Sequence, residues 1–293
     1  MPGGLKQLEN ITKSDLSYGL YAKRYATELI QQIGIKNVCT IRHNGDIGKI
    51  FTIFIPANVK LCDIKYLDIT IGQTTYLHIS FDLLLKLSKY SFDGNTHCIK
   101  PNSHLLNFSN HTDKFYDGIP FVKLTLEEVK LTLVSTFEFD FEVFVQFKFI
   151  KDNLLEVQPQ TYIINPIETV SIECGQFAKI KLPFKSLSTG LLIETSTKIK
   201  SLLVQLEGYD LFLELDEKTL NAFMPKIHDN LYWLSFNGNQ DWDTKFDGCG
   251  IDFGIAQNVH LCIIFDNLPS QNIVVHSVSH NVVMIDNGVA KLN

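Results

Sequence analysis

Residues 137–150 read Phe137-Glu138-Phe139-Asp140-Phe141-Glu142-Val143-Phe144-Val145-Gln146-Phe147-Lys148-Phe149-Ile150. Every odd position is apolar, while the even positions begin Glu138, Asp140, Glu142 and then become mixed. A helix would scatter those phenylalanines around its circumference, whereas a strand gathers them on one face. At about 3.3 Å per residue the stretch would span roughly 46 Å, long for one strand, so a break or bend is expected inside it. This run sets the class of the fold, and the sequence on either side agrees with it.

Upstream, Phe121 to Leu133 alternates twice, as Val122/Leu124/Leu126 and as Val129/Leu131/Leu133, with a parity shift at Glu127-Glu128 of the kind an inserted bulge residue causes. Ile50 to Ile55 is apolar on both faces and follows Asn44-Gly45, a hairpin-turn dipeptide. Further strand-like runs lie at Val170–Ile172, Ala178–Leu182, Ile199–Leu206, Leu211–Leu215, Leu231–Phe236, Val259–Phe265 and Ile273–Ile285. Helical candidates are few: Tyr21 to Gln32 and Phe81 to Tyr90, neither with a cap at both ends. Many strands separated by Gly, Asn, Asp and Pro turns predict an antiparallel sandwich or barrel. The polar stretch Lys151–Pro166, with Pro159 and Pro166, separates two strand-rich halves. Ile71-Gly72-Gln73 and Leu206-Glu207-Gly208 end strands at comparable depth in those halves, a hint of duplication. The expectation is an all-β chain of two similar sandwiches in tandem.

Composition narrows the function classes. The chain has 293 residues, 45% of them hydrophobic and 20% charged, a globular balance large enough for two domains. Its 21 phenylalanines suit strands and a large core. Twenty-six basic residues against 32 acidic ones give a net charge of -6, and only Arg24 and Arg42 are arginines. Tracking a phosphate backbone takes clustered Lys and Arg on a basic protein, so direct nucleic-acid binding is not expected. No apolar run approaches the length of a membrane span, and the opening residues lack a basic region followed by an apolar stretch, so neither a span nor a signal peptide is expected. Cys39, Cys62, Cys98, Cys174, Cys249 and Cys262 form no C-x-x-C pair and read as reduced, buried thiols.

The search for chemistry is negative at each candidate. Gly45-Asp46-Ile47-Gly48-Lys49 lacks the spacing of a phosphate-binding loop, and Ile50 stands where a magnesium-binding hydroxyl is needed. Asp241-Trp242-Asp243-Thr244-Lys245-Phe246-Asp247-Gly248 offers carboxylates, but Lys245 and Phe246 break the calcium-loop pattern. His276 and His280 sit among β-formers; on a strand, four residues span roughly 13 Å, too far for one zinc. His97, His104 and His111 lie in a polar stretch without the spacing of a site. Ser186-Leu187-Ser188-Thr189-Gly190 lacks the first glycine of a nucleophile elbow. Glu127 and Glu128 cannot be paired as glycosidase carboxylates from sequence. Asn10-Ile11-Thr12, Asn107-Phe108-Ser109 and Asn110-His111-Thr112 match the N-glycosylation pattern and are expected to stay unmodified. No catalytic residue, cofactor or metal is expected.

Several segments, in order, resemble the double jelly-roll major capsid proteins of nucleocytoplasmic large DNA viruses. Gly3-Gly4-Leu5-Lys6-Gln7-Leu8 is similar to that family's G-G-L-x-Q-L opening. Tyr21-Ala22-Lys23-Arg24-Tyr25, leading into Ile30-Gln31-Gln32, is similar to its Y-R-R-Y segment and the strand after it. Arg42-His43-Asn44-Gly45-Asp46 resembles its R-N-G-D hairpin with His43 inserted, and Glu128-Val129-Lys130-Leu131 its H-E-V-K-L strand. Phe149-Ile150-Lys151-Asp152, Glu156, Pro159 and Tyr162-Ile163 follow the order of its inter-barrel connector. Val204-Gln205-Leu206-Glu207-Gly208, Leu231-Tyr232-Trp233-Leu234-Ser235-Phe236 and Asn281-Val282-Val283-Met284 extend the resemblance over nearly the whole chain.

The resemblance implies two eight-stranded antiparallel jelly rolls with few short helices. It divides the chain into an arm (1–20), a first jelly roll (21–150), a connector (151–166) and a second jelly roll (167–293). It implies a non-enzymatic shell protein of the virion, assembled from the host cytoplasm, forming homotrimers with a pseudo-hexagonal outline that meet one another and minor capsid proteins. A capsid-like scaffolding role is a variant of that expectation. The rival is a glycan-processing or glycan-binding double β-sandwich, for which Trp233, Trp242 and Asp241, with Asp243 beside it, would be the residues to inspect.

Overall fold

The computed structural model describes residues 25–42, 47–91, 103–107, 121, 124, 126–150, 160–164, 167–173, 175–206, 209–236, 250–256, 258–286 and 288–292. Eight strands run from β1 (Tyr25–Gly34) through β2 (Val38–Ile41), β3 (Ile47–Pro56), β4 (Ile64–Ile71), β5 (Thr74–Ser80), β6 (Ser103–Asn107) and β7 (Val129–Ser135) to β8 (Phe141–Ile150). They form two four-stranded sheets, ordered β1-β8-β3-β6 and β2-β7-β4-β5. Ranked by position, the orders are 1-8-3-6 and 2-7-4-5, which is the winding of a jelly roll.

The winding then repeats. After the short β9 (Gln160–Ile164) come β10 (Ile167–Ile172), β11 (Phe177–Lys181), β12 (Leu187–Glu194), β13 (Ile199–Leu206), β14 (Tyr209–Leu215), β15 (Lys226–His228), β16 (Leu231–Ser235), β17 (Ile251–Asp252), β18 (Val259–Phe265), β19 (Ile273–Asp286) and β20 (Val289–Leu292). One sheet contains the path β10-β19-β12-β16 and the other is β11-β18-β13-β14. With β15 and β17 set aside as additions at β16 and β12, and β9 and β20 as additions at β19, these are again 1-8-3-6 and 2-7-4-5. Gly72, at a φ of +56°, makes the turn between β4 and β5; β13 and β14, flanking residues 207–208, are the matching fourth and fifth strands of the second set. The duplication hinted at in the sequence is a duplication of topology.

Among the described residues two α-helices interrupt the strands, α1 (Phe81–Ser91) after β5 and α2 (Glu217–Phe223) after β14. Spatially the chain groups into two compact units, one of Met1–Tyr76, Gly94–Tyr162 and Val282–Asn293, the other of Leu77–Asp93 and Ile163–Asn281. The helix α1 therefore belongs with the second set of strands although the chain makes it in the middle of the first.

Alternation does the sorting within each unit. Val129, Leu131 and Leu133 of β7 are buried, while Lys130, Thr132 and Val134 between them are half-exposed. Val143, Val145 and Phe147 of β8 are buried, as are Ile53 and Ile55 of β3 and Leu67 and Ile71 of β4. The second core gathers Leu191, Ile193, Val204, Leu234, Leu261, Ile263 and Val275. Burying each such side chain contributes about 1.5–3 kcal/mol relative to leaving it in water.

The long phenylalanine run breaks where its length demanded. The strand begins only at Phe141; Phe137 is exposed and Phe139 half-exposed. Two expectations are corrected. Residues 25–32 of the expected helix Tyr21–Gln32 are strand, because β1 pairs antiparallel with β8 along its whole length, from Tyr25 opposite Ile150 to Gly34 opposite Phe141; a ladder of tertiary hydrogen bonds outweighs a weak local propensity. The stretch before Glu127 is no continuation of β7 among the described residues: Leu124 and Leu126 lie outside strands, and Leu126 N–H donates to the Gly288 carbonyl.

Asn37 makes several of the bonds that hold the break before β8. Lys36 and Asn37, with φ of 50° and 68°, form the two-residue turn between β1 and β2, closed by mutual bonds of Ile35 and Val38 (2.9 and 3.1 Å). Two positive φ values in a row match the strand twist of a tight hairpin. Asn37 Nδ2 donates to the Phe137 carbonyl (2.8 Å) and Ser135 Oγ (3.2 Å), and its Oδ1 accepts from Phe139 N–H (2.9 Å). Asn37→Ala loses these three bonds and keeps a conformation alanine disfavours. It is expected to lower stability by about 2–3 kcal/mol in urea unfolding, with Asn37→Gly losing less. Equal losses for the two variants would remove the backbone part of that explanation.

Candidate functional site

Among the described residues, those singled out in the sequence lie on strands or at the surface. Ser186-Leu187-Ser188-Thr189-Gly190 leads into and through β12, with Ser188 Oγ spent on the carbonyls of Gly190 (2.9 Å) and Val278 (3.2 Å). Glu128 pairs with Lys130 at the surface (3.0 Å). His276 and His280 both lie on β19, and His104 on β6. Trp233 is buried in β16, so its ring offers no stacking platform for a sugar. Asp241, Trp242, Asp243, Gly45, Asp46, His97, His111, Asn10 and Asn110 lie outside the described residues. Among the described cysteines, Cys39 is buried and burial pushes its thiol up to about 11. Cys62, by contrast, is exposed, which corrects the expectation of uniformly buried thiols. Among the described residues no three His, Cys, Asp or Glu side chains converge as metal ligands, and no helix is long and apolar enough to cross a membrane.

The structure brings together a charged group that sequence reasoning missed. Lys86 of α1 bonds both Asp82, one turn back on the helix, and Glu194 at the end of β12. On the other side of Glu194 stands the buried His276, its Nε2 3.8 Å from Glu194 Oε2 and its Nδ1 2.8 Å from Thr169 Oγ1. At 3.8 Å the imidazole and carboxylate interact through space and form no hydrogen bond. His276, and then Lys86, hold the Glu194 carboxyl down to about 2, against burial, which raises it. Burial pulls the Lys86 ammonium down, but its bonds to Asp82 and Glu194 outweigh that and leave it raised. A carboxyl held this low stays ionised and cannot serve as a general acid near neutrality. The group acts as a pin that fixes α1 on its unit.

The pin has a pH signature. A carboxyl whose folded pKa lies below its unfolded value contributes stability above the unfolded value and loses it as pH falls toward the folded one. For Glu194, whose carboxyl falls from 4.5 to about 2, that stability is fully present above about pH 4.5 and is lost as pH falls from there toward 2. Acid unfolding of the wild type should be steeper across that window than that of Glu194→Gln. Superimposable acid transitions would contradict the assignment.

The second feature lies in the other unit. A depression of about 340 Å³ is lined by Ile33, Phe54, Pro56, Ala57, Asp140, Phe141 and Glu142. Ile33 and Phe54 lie directly opposite Glu142 on the strands either side of it. Glu142 Oε2 accepts from Gln31 Nε2 (2.7 Å), and Asp140 Oδ1 from Lys36 N–H (3.0 Å). An apolar floor with two carboxylates at the rim suits an apolar side chain accompanied by a cation; it offers no nucleophile.

Solved structures share this architecture from end to end. The chain in a quasi-atomic model of the PBCV-1 virus capsid superposes with a TM-score of 0.67 at 14% identity, covering 92% of this chain and 96% of that one. This is a double jelly-roll fold. The Faustovirus major capsid protein aligns at a TM-score of 0.63 and 7% identity, over 93% of this chain and 92% of its own. The major capsid protein P2 of bacteriophage PM2 aligns at 0.56 and 12%, over 87% and 98%. The sequence itself matches no protein-family model and no curated protein. The fold is kept where sequence identity has nearly vanished, because jelly-roll winding needs alternation and turns more than particular residues.

Proposed function

We propose that this double jelly roll is a structural protein of an icosahedral viral shell, with three copies closing into a capsomer of pseudo-hexagonal outline. The observation that carries the proposal is the repeated winding, 1-8-3-6 and 2-7-4-5 in each half, shared over nearly the whole chain with capsid proteins of viruses. Two similar barrels per chain make six per trimer, and a six-barrel tile fills a hexagonal lattice. Head-to-tail contacts about a three-fold axis close such a ring.

Such a protein works by shape and edge complementarity and needs no reaction centre. Its net charge of -6 keeps free subunits soluble and disfavours contact with the genome. Its partners would be further copies of itself and minor capsid proteins, its place the virion, and its assembly site the host cytoplasm. Light scattering coupled to size exclusion tests the trimer: a species of about three times 33.3 kDa is expected, and a monomer at every concentration would overturn the proposal.

A further inference from the structure

Among the described residues one buried side-chain polar atom has no hydrogen-bond partner, Nε2 of His276. The ring lies on β19 with Nδ1 2.8 Å from Thr169 Oγ1 of β10, and Nε2 stands 3.8 Å from Glu194 Oε2 of β12. A neutral imidazole has one N–H for its two nitrogens. A second proton puts a donor at both and a cation beside the carboxylate, so the ring gains most from Glu194 when charged. A closing of about 0.8 Å then completes the bond.

The other oxygen of that carboxylate, Oε1, is taken by Lys86 of α1. The ammonium of the helix and a proton on the ring therefore compete for one anion. Of the strands about the ring, β10 faces it with Thr169 and β12 with Leu192 and Glu194, while Val274 and Val278 flank it on its own strand. The helix brings Lys86 and, bonded to it, Asp82, whose side chain is 74% exposed, so water screens its charge. His228 belongs to β15, a strand that α1 packs on but that lies beyond β12 and β16 in the sheet. Glu194 keeps its charge throughout the range in which histidines titrate, its carboxyl being held down to about 2.

We propose that His276 is a proton-operated release for α1: as pH falls from about 8 to about 5, the charged ring takes over Glu194, and Lys86 lets go with its helix. The coupling is reciprocal, because the factor by which the proton weakens docking of the helix is the factor by which the docked helix weakens binding of the proton. Acid thus frees residues 81–91 at pH values well above those that protonate Glu194 itself. Every group involved belongs to one unit of one chain, so the inference stands apart from the shell reading.

Hydrogen exchange of the full chain, read as protection factors over a series of pH values, tests it. Residues 81–91 of the wild type should lose protection about fivefold or more between pH 8 and about pH 5.5, while β12 and β19 keep theirs. His276→Gln, which takes up no proton, should hold its protection across the range, and His228→Gln should behave as wild type. Because position 276 is buried, titration of the imidazole by NMR in Lys86→Met is the second measurement, and it decides the matter if His276→Gln does not fold. With the competing ammonium gone, His276 should take up its proton at a higher pH than in wild type. Flat wild-type protection, a loss that persists in His276→Gln, or a His276 titration that Lys86→Met leaves in place or lowers, overturns the proposal.

Discussion

Gly190→Ala is expected to lower stability by about 3 kcal/mol or more. A Cβ at this position would lie 2.2 Å from Trp233 Cη2 and 2.4 Å from the Leu234 carbonyl oxygen. The tryptophan is fully buried, and the carbonyl belongs to β16, whose Ser235 pairs with Gly190. Neither can give way without parting β12 from β16, two strands of one sheet. The register of β12 against β19 also shifts at Ser188/Gly190, so the backbone here already accommodates a bulge. Denaturant unfolding of the purified variant measures the loss. A midpoint unchanged from wild type would mean that the ring and the strand do not approach as described. Pairing the change with Trp233→Leu should recover only part of the loss, since the carbonyl contact remains.

The second large effect is Glu194→Ala. Lys86 would keep its bond to Asp82 but lose the partner that ties α1 to the sheet, and the buried His276 would lose the carboxylate 3.8 Å from its Nε2. Removing one member of a substantially buried ion pair costs about 3–5 kcal/mol; partial exposure of Glu194 places the expectation near the lower figure. Lys86→Met should cost less, because it removes a charge and leaves an apolar stem to pack against the sheet. Hydrogen exchange should show residues 81–91 opening first in Glu194→Ala. Uniform destabilisation with no preferential exposure of α1 would contradict the pin.

What the sequence made legible was whatever repeats with period two. Val129, Leu131, Leu133, Val143, Val145 and Phe147 were assigned to buried faces by alternation alone, and they are buried. The strand β12 escaped notice because it is buried on both faces: alternation disappears, and Ser188-Thr189-Gly190 looks like a turn. Its glycine has a packing reason, the Trp233 ring, that no local pattern reveals. The first strand was misread as helix because Ala26, Glu28, Leu29 and Gln31 are adequate helix formers and the partner that makes them a strand lies more than 100 residues away. The helix α2 carried a readable signal, since Asp216 accepts from the N–H groups of Lys218 (3.1 Å) and Thr219 (2.9 Å) as an N-cap.

The charged pin illustrates what one-dimensional reading cannot reach. Lys86, Glu194 and His276 are separated by some eighty to a hundred residues each way, and each alone reads as an ordinary surface or strand residue. They meet because the chain inserts α1 between β5 and β6 yet groups it with the second set of strands. The resemblance to capsid proteins came from short motifs in order, and the strand winding agrees with it where identity to solved capsid chains is only 7–14%.

Electron microscopy of the purified oligomer tests the central claim most directly. The account predicts a compact particle of hexagonal outline with six lobes, two from each of three chains. A population of two-lobed particles of one chain each, or a ring with any other number of lobes, would contradict it.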